Sequence, residues 1–221
     1  SKYGITGTTE VVYNPSYELL FEEETKPELE GFEKGQESEL GAVNVMTGVY
    51  TGRSPKDKFI VDTPSVHDDI AWGSVNVPIT QEKFNAIRSK VVAYLQNREI
   101  FIFDGKAGAD PVCTRKFRII NELASQNLFI HELLIRPTAE ELENYGEADF
   151  TIFVAPGFKC IPEIDGTHSE AAIIVDYEQK QVVICGSQYS GEIKKSVFSI
   201  MNFLMPKEGV LPMHCSANMD P

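Results

Sequence analysis

The chain has 221 residues, of which 20 are Lys or Arg and 33 are Asp or Glu, so its formal net charge at pH 7 is −13. This acid excess argues against a general nucleic-acid-binding protein, which needs a basic surface to displace counterions, and against docking on anionic membranes. With 42% hydrophobic residues the chain is too apolar to be mainly disordered, yet no apolar run approaches the roughly 20 residues of a membrane-spanning helix. We therefore treat residues 1–221 as one globular domain with a sizeable core.

The strand predictions rest on short segments that are rich in β-branched and aromatic residues. They fall at residues 11–13, 42–46, 58–61, 100–103, 150–154, 171–175 and 182–185. The segments 100–103 and 150–154 are almost wholly apolar, so we expect them to be central strands covered on both faces. The last two strands flank residues 176–180, which we predict to be a hairpin turn.

The helix predictions rest on apolar residues that recur every three or four positions. They cover 81–96 with Thr80 as N-cap, 114–126, a short helix from a Thr138–Glu141 capping box to residue 145, and 192–204. A turn into a further helix is expected at residues 13–17. Because strands and helices interleave and a hairpin comes late, the predicted fold class is α/β, a mixed β-sheet flanked by helices.

The cysteines and the first residues bear on the cellular compartment. Cys113, Cys160, Cys185 and Cys215 form no CxxC pair, and their spacing fits neither a zinc ribbon nor a small disulfide scaffold. Residues 1–9 contain no basic stretch followed by an apolar one, so no secretory signal is visible. We expect reduced thiols and a cytoplasmic location.

The first segment that could carry chemistry is TGRSPKDK, residues 51–58, which lies between two predicted strands. Gly52 permits backbone conformations that are closed to other residues, and Pro55 stiffens the turn. The planar guanidinium of Arg53, held on a stiff loop, can bind a carboxylate or a phosphate through two parallel hydrogen bonds. A solvated basic turn is the alternative interpretation.

The second segment, GSQYSGEIKK at residues 186–195, follows a predicted strand and opens a helix. Such a junction directs backbone N–H groups toward an anion. Lys194 and Lys195 lie in the first turn, where their charges oppose the helix dipole at a local cost of roughly 0.3–1 kcal/mol. A local cost of this kind suggests a function, although two ordinary surface lysines are the alternative. The segment is not a Walker A motif, because the GxxxxGK[ST] spacing is absent.

The third segment is MHCSAN, residues 213–218, which follows the short apolar stretch Val210-Leu211-Pro212. Histidine is a common ligand of transition metals, so His214 is a candidate metal ligand, and a simply packed histidine is the alternative. Cys215 beside it suggests a thiol nucleophile, but no group that would orient such a pair is apparent.

Taken together, these segments resemble the ATP-dependent phosphoenolpyruvate carboxykinases. The resemblance begins at VYNPSY (12–17), is strong at 51–58, shortens to IRP at 135–137, and is strong again at 189–195 and 213–218. It spans nearly the whole chain in the order of the family. Ser190 stands where relatives often have Ala, a departure that should not disturb the chemistry.

The resemblance implies a gluconeogenic reaction in which oxaloacetate and ATP give phosphoenolpyruvate, CO2 and ADP with the help of Mg2+ and Mn2+. It implies that Arg53 grips the oxaloacetate carboxylate and the nascent CO2, and that Tyr189 lines the same pocket. It further implies that Lys195 and His214 are Mn2+ ligands that also approach the ATP γ-phosphate. Lys194 would be a neighbouring cation near the transferring phosphate, so that Arg53, Lys194 and Lys195 form the expected catalytic set.

In that family an α/β N-terminal domain precedes a kinase-like domain that carries the phosphate loop. We therefore expect the present chain to be the substrate-side domain alone, inactive without its nucleotide-binding partner. One alternative is a non-catalytic anion-binding or interaction module that has kept the scaffold. A weaker one is a cysteine-dependent enzyme that uses Cys215 and His214.

Overall fold

A computed structural model describes residues 2–220 of the chain. The described part contains ten strands: β1 (Glu10–Tyr13), β2 (Gln36–Glu37), β3 (Val43–Asn44), β4 (Lys58–Val61), β5 (Val77–Ile79), β6 (Glu99–Ala107), β7 (Arg115–Asn121), β8 (Phe150–Ala155), β9 (Ala172–Asp176) and β10 (Gln181–Cys185). Its six α-helices are α1 (Tyr17–Glu24), α2 (Gln81–Tyr94), α3 (Ala124–Leu133), α4 (Ala139–Glu143), α5 (Pro162–Asp165) and α6 (Gly191–Leu204). Short 3-10 turns occupy Gly31–Glu33, Pro55–Asp57, His67–Asp69 and Met205–Glu208.

Eight strands form one mixed sheet in the order β1-β6-β7-β8-β10-β9-β4-β5. Within it, β6 pairs with β7 and β9 pairs with β10 in antiparallel fashion, whereas the other neighbours are parallel. The two-residue strands β2 and β3 form a separate antiparallel hairpin. The structure is therefore α/β with a mixed sheet, as the sequence predicts.

Helices cover both faces of the sheet, and each face has its own hydrophobic cluster. On one face, Phe84, Ile87 and Val91 of α2 pack against strand residues such as Phe153 and Ile174. On the other face, Ile130 of α3 and Ile193 and Val197 of α6 pack against alternate strand residues. These strand residues include Ile152, Val175 and Ile184. All six residues of β8 are buried, which fits a central strand with helices on both sides.

Most predicted elements are confirmed. The strands predicted at 11–13, 58–61, 100–103, 150–154, 171–175 and 182–185 all form, with the hairpin between the last two, whereas only Val43–Asn44 of the predicted strand 42–46 does. The hydroxyl of Thr80 caps α2, and Thr138 and Glu141 form the predicted capping box, although α4 ends at Glu143 rather than at residue 145. Ser16 caps α1, the helix expected after the turn at residues 13–17.

The helix predicted at residues 114–126 is wrong. Residues Arg115–Asn121 form β7, between β6 and β8, and the helix α3 begins only at Ala124. The helical spacing of Phe117 and Ile120 misled the prediction, because Ile119 is also fully buried and faces the same cluster as Phe117. Pairing with strands on both sides outweighs the local pattern, as expected where burial decides strand formation.

None of the helices in the described part of the chain is both long and apolar enough to cross a lipid bilayer.

Candidate active site

Two of the three candidate functional segments meet at one edge of the sheet. Lys58 at the start of β4 pairs with Ile173 of β9, and Ile173 pairs on its other side with Ile184 near the end of β10. Because β9 runs parallel to β4 and antiparallel to β10, the loop before β4 and the loop after β10 leave the sheet at the same edge. The strand register therefore brings residues 51–57 close to residues 186–190.

A cavity of about 390 Å³ lies beside this edge. Its charged lining residues are three cations, Arg53, Lys58 and Lys195, and two carboxylates, Glu192 and Asp69, of which Asp69 pairs with Lys207. Aromatic rings form part of its wall, namely Tyr177, Phe198 and Phe203. A cavity that combines clustered cations with apolar walls suits an anionic ligand, because a low-dielectric surrounding strengthens the attraction.

Buried acceptors hold the loop that carries Arg53, although the Arg53 side chain itself is exposed. The backbone N–H of Ser54 donates a 2.6 Å hydrogen bond to Oε1 of Glu192 on α6. The buried carboxylate of Asp57 accepts a hydrogen bond from the Ser54 hydroxyl and another, 2.7 Å long, from the Ser169 hydroxyl. These bonds join the loop both to α6 and to the segment before β9, so the guanidinium projects from a fixed base.

The electrostatics of the cleft depress the pKa of two lysines. Partial burial, followed by the charges of Arg53 and Lys194, lowers the pKa of Lys195. Burial and then the charge of Arg53 lower the pKa of Lys58, while Glu192 acts in the opposite direction. Arg53 is common to both shifts, which is consistent with its position on the wall of the cavity.

Phe198 brings Lys195 and His214 together. The Lys195 ammonium lies 5.2 Å from the centroid of the Phe198 ring, and the His214 ring meets the same phenyl ring edge-on at a centroid distance of 5.5 Å. His214 is exposed and belongs to residues 209–220, a stretch without helix or strand. Its neighbour Cys215 is also exposed, and the described residues offer it no hydrogen bond that would orient a thiol nucleophile.

The fit to a divalent metal ion is partial. Within residues 2–220 no group of three or more His, Cys, Asp or Glu side chains could hold a metal ion. The donors at the cleft are instead one amine with a lowered pKa and one imidazole, which are nitrogen ligands suited to a transition metal. Both groups lie against the Phe198 ring, and any further ligands would come from outside this pair.

Tyr189 and Lys194 lie beside the cavity rather than in its lining. Tyr189 is half-buried in the loop before α6, and its backbone N–H donates to the Ser187 hydroxyl at 3.3 Å. Its ring lies so close to Gly191 that a Cβ at that position would clash with it. Lys194 is exposed, and its link to the cleft is the effect of its charge on the pKa of Lys195.

The sequence patterns missed the groups that position these side chains. Glu192 is 6% exposed, and burial raises its pKa although the Ser54 N–H favours the ionised form. An acidic residue in the first turn of a helix is common because it complements the dipole, so nothing local marked Glu192 as the anchor of a loop 138 residues away. Lys58 belongs to the TGRSPKDK segment, but the sequence pattern did not indicate that it would line the cavity.

Fold and site thus define an α/β protein with a cleft lined by Arg53 and Lys58 of the TGRSPKDK segment and by Lys195 of α6. A family model described as phosphoenolpyruvate carboxykinase matches residues 9–221. The chain therefore belongs to the phosphoenolpyruvate carboxykinase family.

Curated relatives agree with this assignment. The chain is 60% identical over 220 residues to phosphoenolpyruvate carboxykinase (ATP) from Fusobacterium nucleatum, a match that covers all of this chain and 41% of that protein. It is 51% identical over 218 residues to the protein of the same name from Caldanaerobacter subterraneus, covering 99% of this chain and 40% of the relative. With phosphoenolpyruvate carboxykinase (ATP) 1 from Moorella thermoacetica, it shares 57% identity over 181 residues, covering 82% and 34% of the two proteins. The chain spans at most about two fifths of the length of these relatives.

Proposed function

We propose that this chain is the substrate-side domain of an ATP-dependent phosphoenolpyruvate carboxykinase, which converts oxaloacetate and ATP into phosphoenolpyruvate, CO2 and ADP. One observation carries the proposal: Arg53 and Lys195, which are 142 positions apart in a chain of this family, line the same cavity. A non-catalytic anion-binding module would also have clustered cations, and the turnover assay below separates it from the enzyme.

Arg53 binds the carboxylate that leaves as CO2. Its guanidinium stays charged at any working pH and can donate two parallel hydrogen bonds to the two oxygens of a carboxylate. The hydrogen bonds of Ser54 and Asp57 fix the base of the loop, so little ordering is needed when the substrate binds. Tyr189, at the edge of the cavity, limits the movement of the substrate and of the nascent CO2.

Loss of CO2 from a β-keto acid leaves an enolate, so the site must stabilise a negative oxygen. Lys194 places positive charge beside this oxygen and beside the γ-phosphate of ATP. Phosphoryl transfer to the enolate then depends on alignment and charge neutralisation more than on covalent help. The Lys195 amine and the His214 imidazole would hold Mn2+, which would supply Lewis-acid stabilisation of the same developing charge. The pKa of Lys195 is shifted in the direction that such ligation requires.

The remaining parts of the reaction are assigned to polypeptide outside this chain. The sequence contains no GxxxxGK[ST] phosphate loop, so the nucleotide, with Mg2+, binds to a second domain that faces this one. The isolated chain is accordingly inactive, and the complete enzyme works in gluconeogenesis in the cytoplasm.

The test is a turnover assay on the protein expressed at the full length that its natural gene encodes. Wild-type protein should form phosphoenolpyruvate from oxaloacetate and ATP. Arg53→Gln should lower kcat/KM by about 10²- to 10³-fold, because it removes a preorganised charge that faces a carboxylate. Lys56→Gln is the matched control, since it removes one positive charge from the same loop at an exposed position that does not line the cavity.

Equal effects of the two substitutions would refute the specific role of Arg53. Full-length protein that binds oxaloacetate without turning it over would favour the non-catalytic anion-binding module.

A further inference from the structure

A second cavity, of about 760 Å³, lies on the other side of the Tyr189 loop between α1, α3 and the β2–β3 hairpin. We refer to it as the α1–α3 pocket. Its volume falls within the roughly 300–1,000 Å³ typical of binding pockets. Its walls are mainly apolar and aromatic, contributed by Tyr17, Phe21, Val43, Val45, Leu128 and Phe129.

Glu24 is the unusual residue of the α1–α3 pocket. It is the last residue of α1 and only 2% exposed, and its Oε2 atom has no hydrogen-bond partner among the described residues. Burial raises its pKa to about 7, although the hydroxyl of Ser125 favours ionisation. A carboxylate at a helix C-terminus also opposes the helix dipole, and the last turn of α1 contains no basic residue to offset it.

The charges around Glu24 are one-sided. Four carboxylates line the pocket, from Glu18, Glu22, Glu24 and Glu132, and no Lys, Arg or His is among the lining residues. The lysines of the neighbouring segment are engaged elsewhere: Lys26 pairs with Glu23, and Lys34 donates to the backbone oxygen of Pro27. A buried carboxylate without a counter-charge is costly when it is ionised, and a cation that entered the pocket would offset that cost.

The mouth of the pocket continues into an exposed apolar surface. Val45 is 41% exposed, Met46 61% and Val49 88%, all on the segment that follows β3. Large exposed apolar residues grouped within one short segment fit a surface that contacts another polypeptide. Ser190, in the loop that carries Tyr189, also lines the pocket. A second domain that covered the active cleft would therefore reach the pocket as well.

We propose that the α1–α3 pocket receives a Lys or Arg side chain, flanked by apolar residues, from the remaining polypeptide of the full-length protein. This inference rests on the proposed function, in which the chain is one domain of a longer enzyme. Charge complementarity and the apolar rim support it. The length of the relatives supports it too, because this chain spans only 41% of the Fusobacterium nucleatum protein. The pocket is thus a docking site that fixes the second domain beside the cleft.

The proposal predicts that one substitution has opposite effects in two forms of the protein. Glu24→Gln removes the carboxylate charge with almost no change in shape. At a pH above 7, it should raise the melting temperature of the 221-residue chain by roughly 4–12 °C, because an unpaired buried charge is lost. In full-length protein the same substitution should lower the melting temperature, because the incoming cation loses its counter-charge.

A matched control and a second variant keep the test decisive. Glu28→Gln neutralises an exposed carboxylate outside the pocket and should change neither form. Val45→Ser, at the apolar rim, should leave the 221-residue chain nearly unchanged and should destabilise the full-length protein. A rise in melting temperature with Glu24→Gln in both forms, or no effect of either variant in full-length protein, would overturn the proposal.

These outcomes are separable from those of the turnover assay. A reversal of sign in protein that lacks turnover would support the docking site and refute the proposed reaction. Turnover without a reversal of sign would do the opposite.

Discussion

Two buried carboxylates in this protein have opposite surroundings. Asp104, on β6, is fully buried, and Arg118 grips it with two hydrogen bonds of 2.7 and 2.5 Å. The hydroxyl of Tyr13 donates a third, 2.6 Å long. Glu24 is almost as buried but has no counter-charge, and one of its oxygens lacks any partner among the described residues.

This difference in surroundings means that Asp104 stabilises this domain, whereas Glu24 does not. The Asp104 cluster joins β1, β6 and β7 and is complete within the chain, so its role is structural. Glu24 costs stability within the chain, and a cost of that kind persists where the group serves a function elsewhere. Three predictions test this comparison.

The largest effect is expected from Asp104→Ala. The substitution leaves Arg118, half-buried, without its partner, and breaking a buried pair from one side typically costs about 3–5 kcal/mol of unfolding free energy. Urea denaturation of the 221-residue chain measures this loss. Glu147→Ala is the control, because its partner Lys2 is 59% and Glu147 itself 82% exposed, and such exposed pairs contribute about 0–1 kcal/mol. Similar losses in the two variants would show that the Asp104 cluster is not a structural element.

The next effect concerns the pH dependence that Glu24 imposes. Its pKa in the folded chain is about 7, above the ordinary value of 4.5, so the unfolded chain ionises first. Stability from this group is therefore fully present below pH 4.5, falls as pH rises, and is lost above pH 7. The loss should reach about 2–3 kcal/mol when partial solvent access is allowed for.

The measurement compares wild type with Glu24→Gln across that pH range by urea denaturation. The difference between their unfolding free energies should change by the stated amount between pH 4.5 and pH 7. Burial also raises the pKa of Glu99, Glu122 and Glu192, but those groups are common to both proteins and cancel in the difference. A difference that stays flat with pH would show that Glu24 is hydrated or paired in the folded chain.

The contrast between Asp104 and Glu24 also shows what the sequence could not predict. Local patterns predicted the strands and helices whose conformation follows from their own residues, such as α2 with its Thr80 cap and the fully buried β8. They failed at β7, because its strand conformation depends on pairing with β6 and β8 rather than on its own spacing. The partners of Asp104 come from β1 and β7, and no local signal reports such long-range neighbours.

The candidate site follows the same rule. The motifs identified Arg53 and Lys195 as candidate residues, and the strand register then places them on one cavity. The anchor Glu192 and the buried Asp57 are recognisable only from contacts made after folding. The sequence motifs thus named two residues that line the cavity, whereas the residues that position them required the structure. The roles assigned to Arg53, Tyr189, Lys194, Lys195 and His214 all remain predictions.

The smallest effect is expected from Tyr13→Phe, which removes one donor to Asp104 and leaves the Arg118 pair intact. Burial, and then the neighbouring Asp104, raises the pKa of Tyr13 to about 12, so the phenol is protonated and donates at neutral pH. Tyr13 is 46% exposed, so the loss should be about 1 kcal/mol, near the lower end for hydrogen bonds to charged groups. A double-mutant cycle with Asp104→Asn tests the mechanism, because the effect of Tyr13→Phe should shrink once the charged acceptor is gone. An unchanged cost in that background would mean that the hydroxyl acts through packing or water rather than through the carboxylate, and the Asp104 cluster would then comprise only the pair with Arg118.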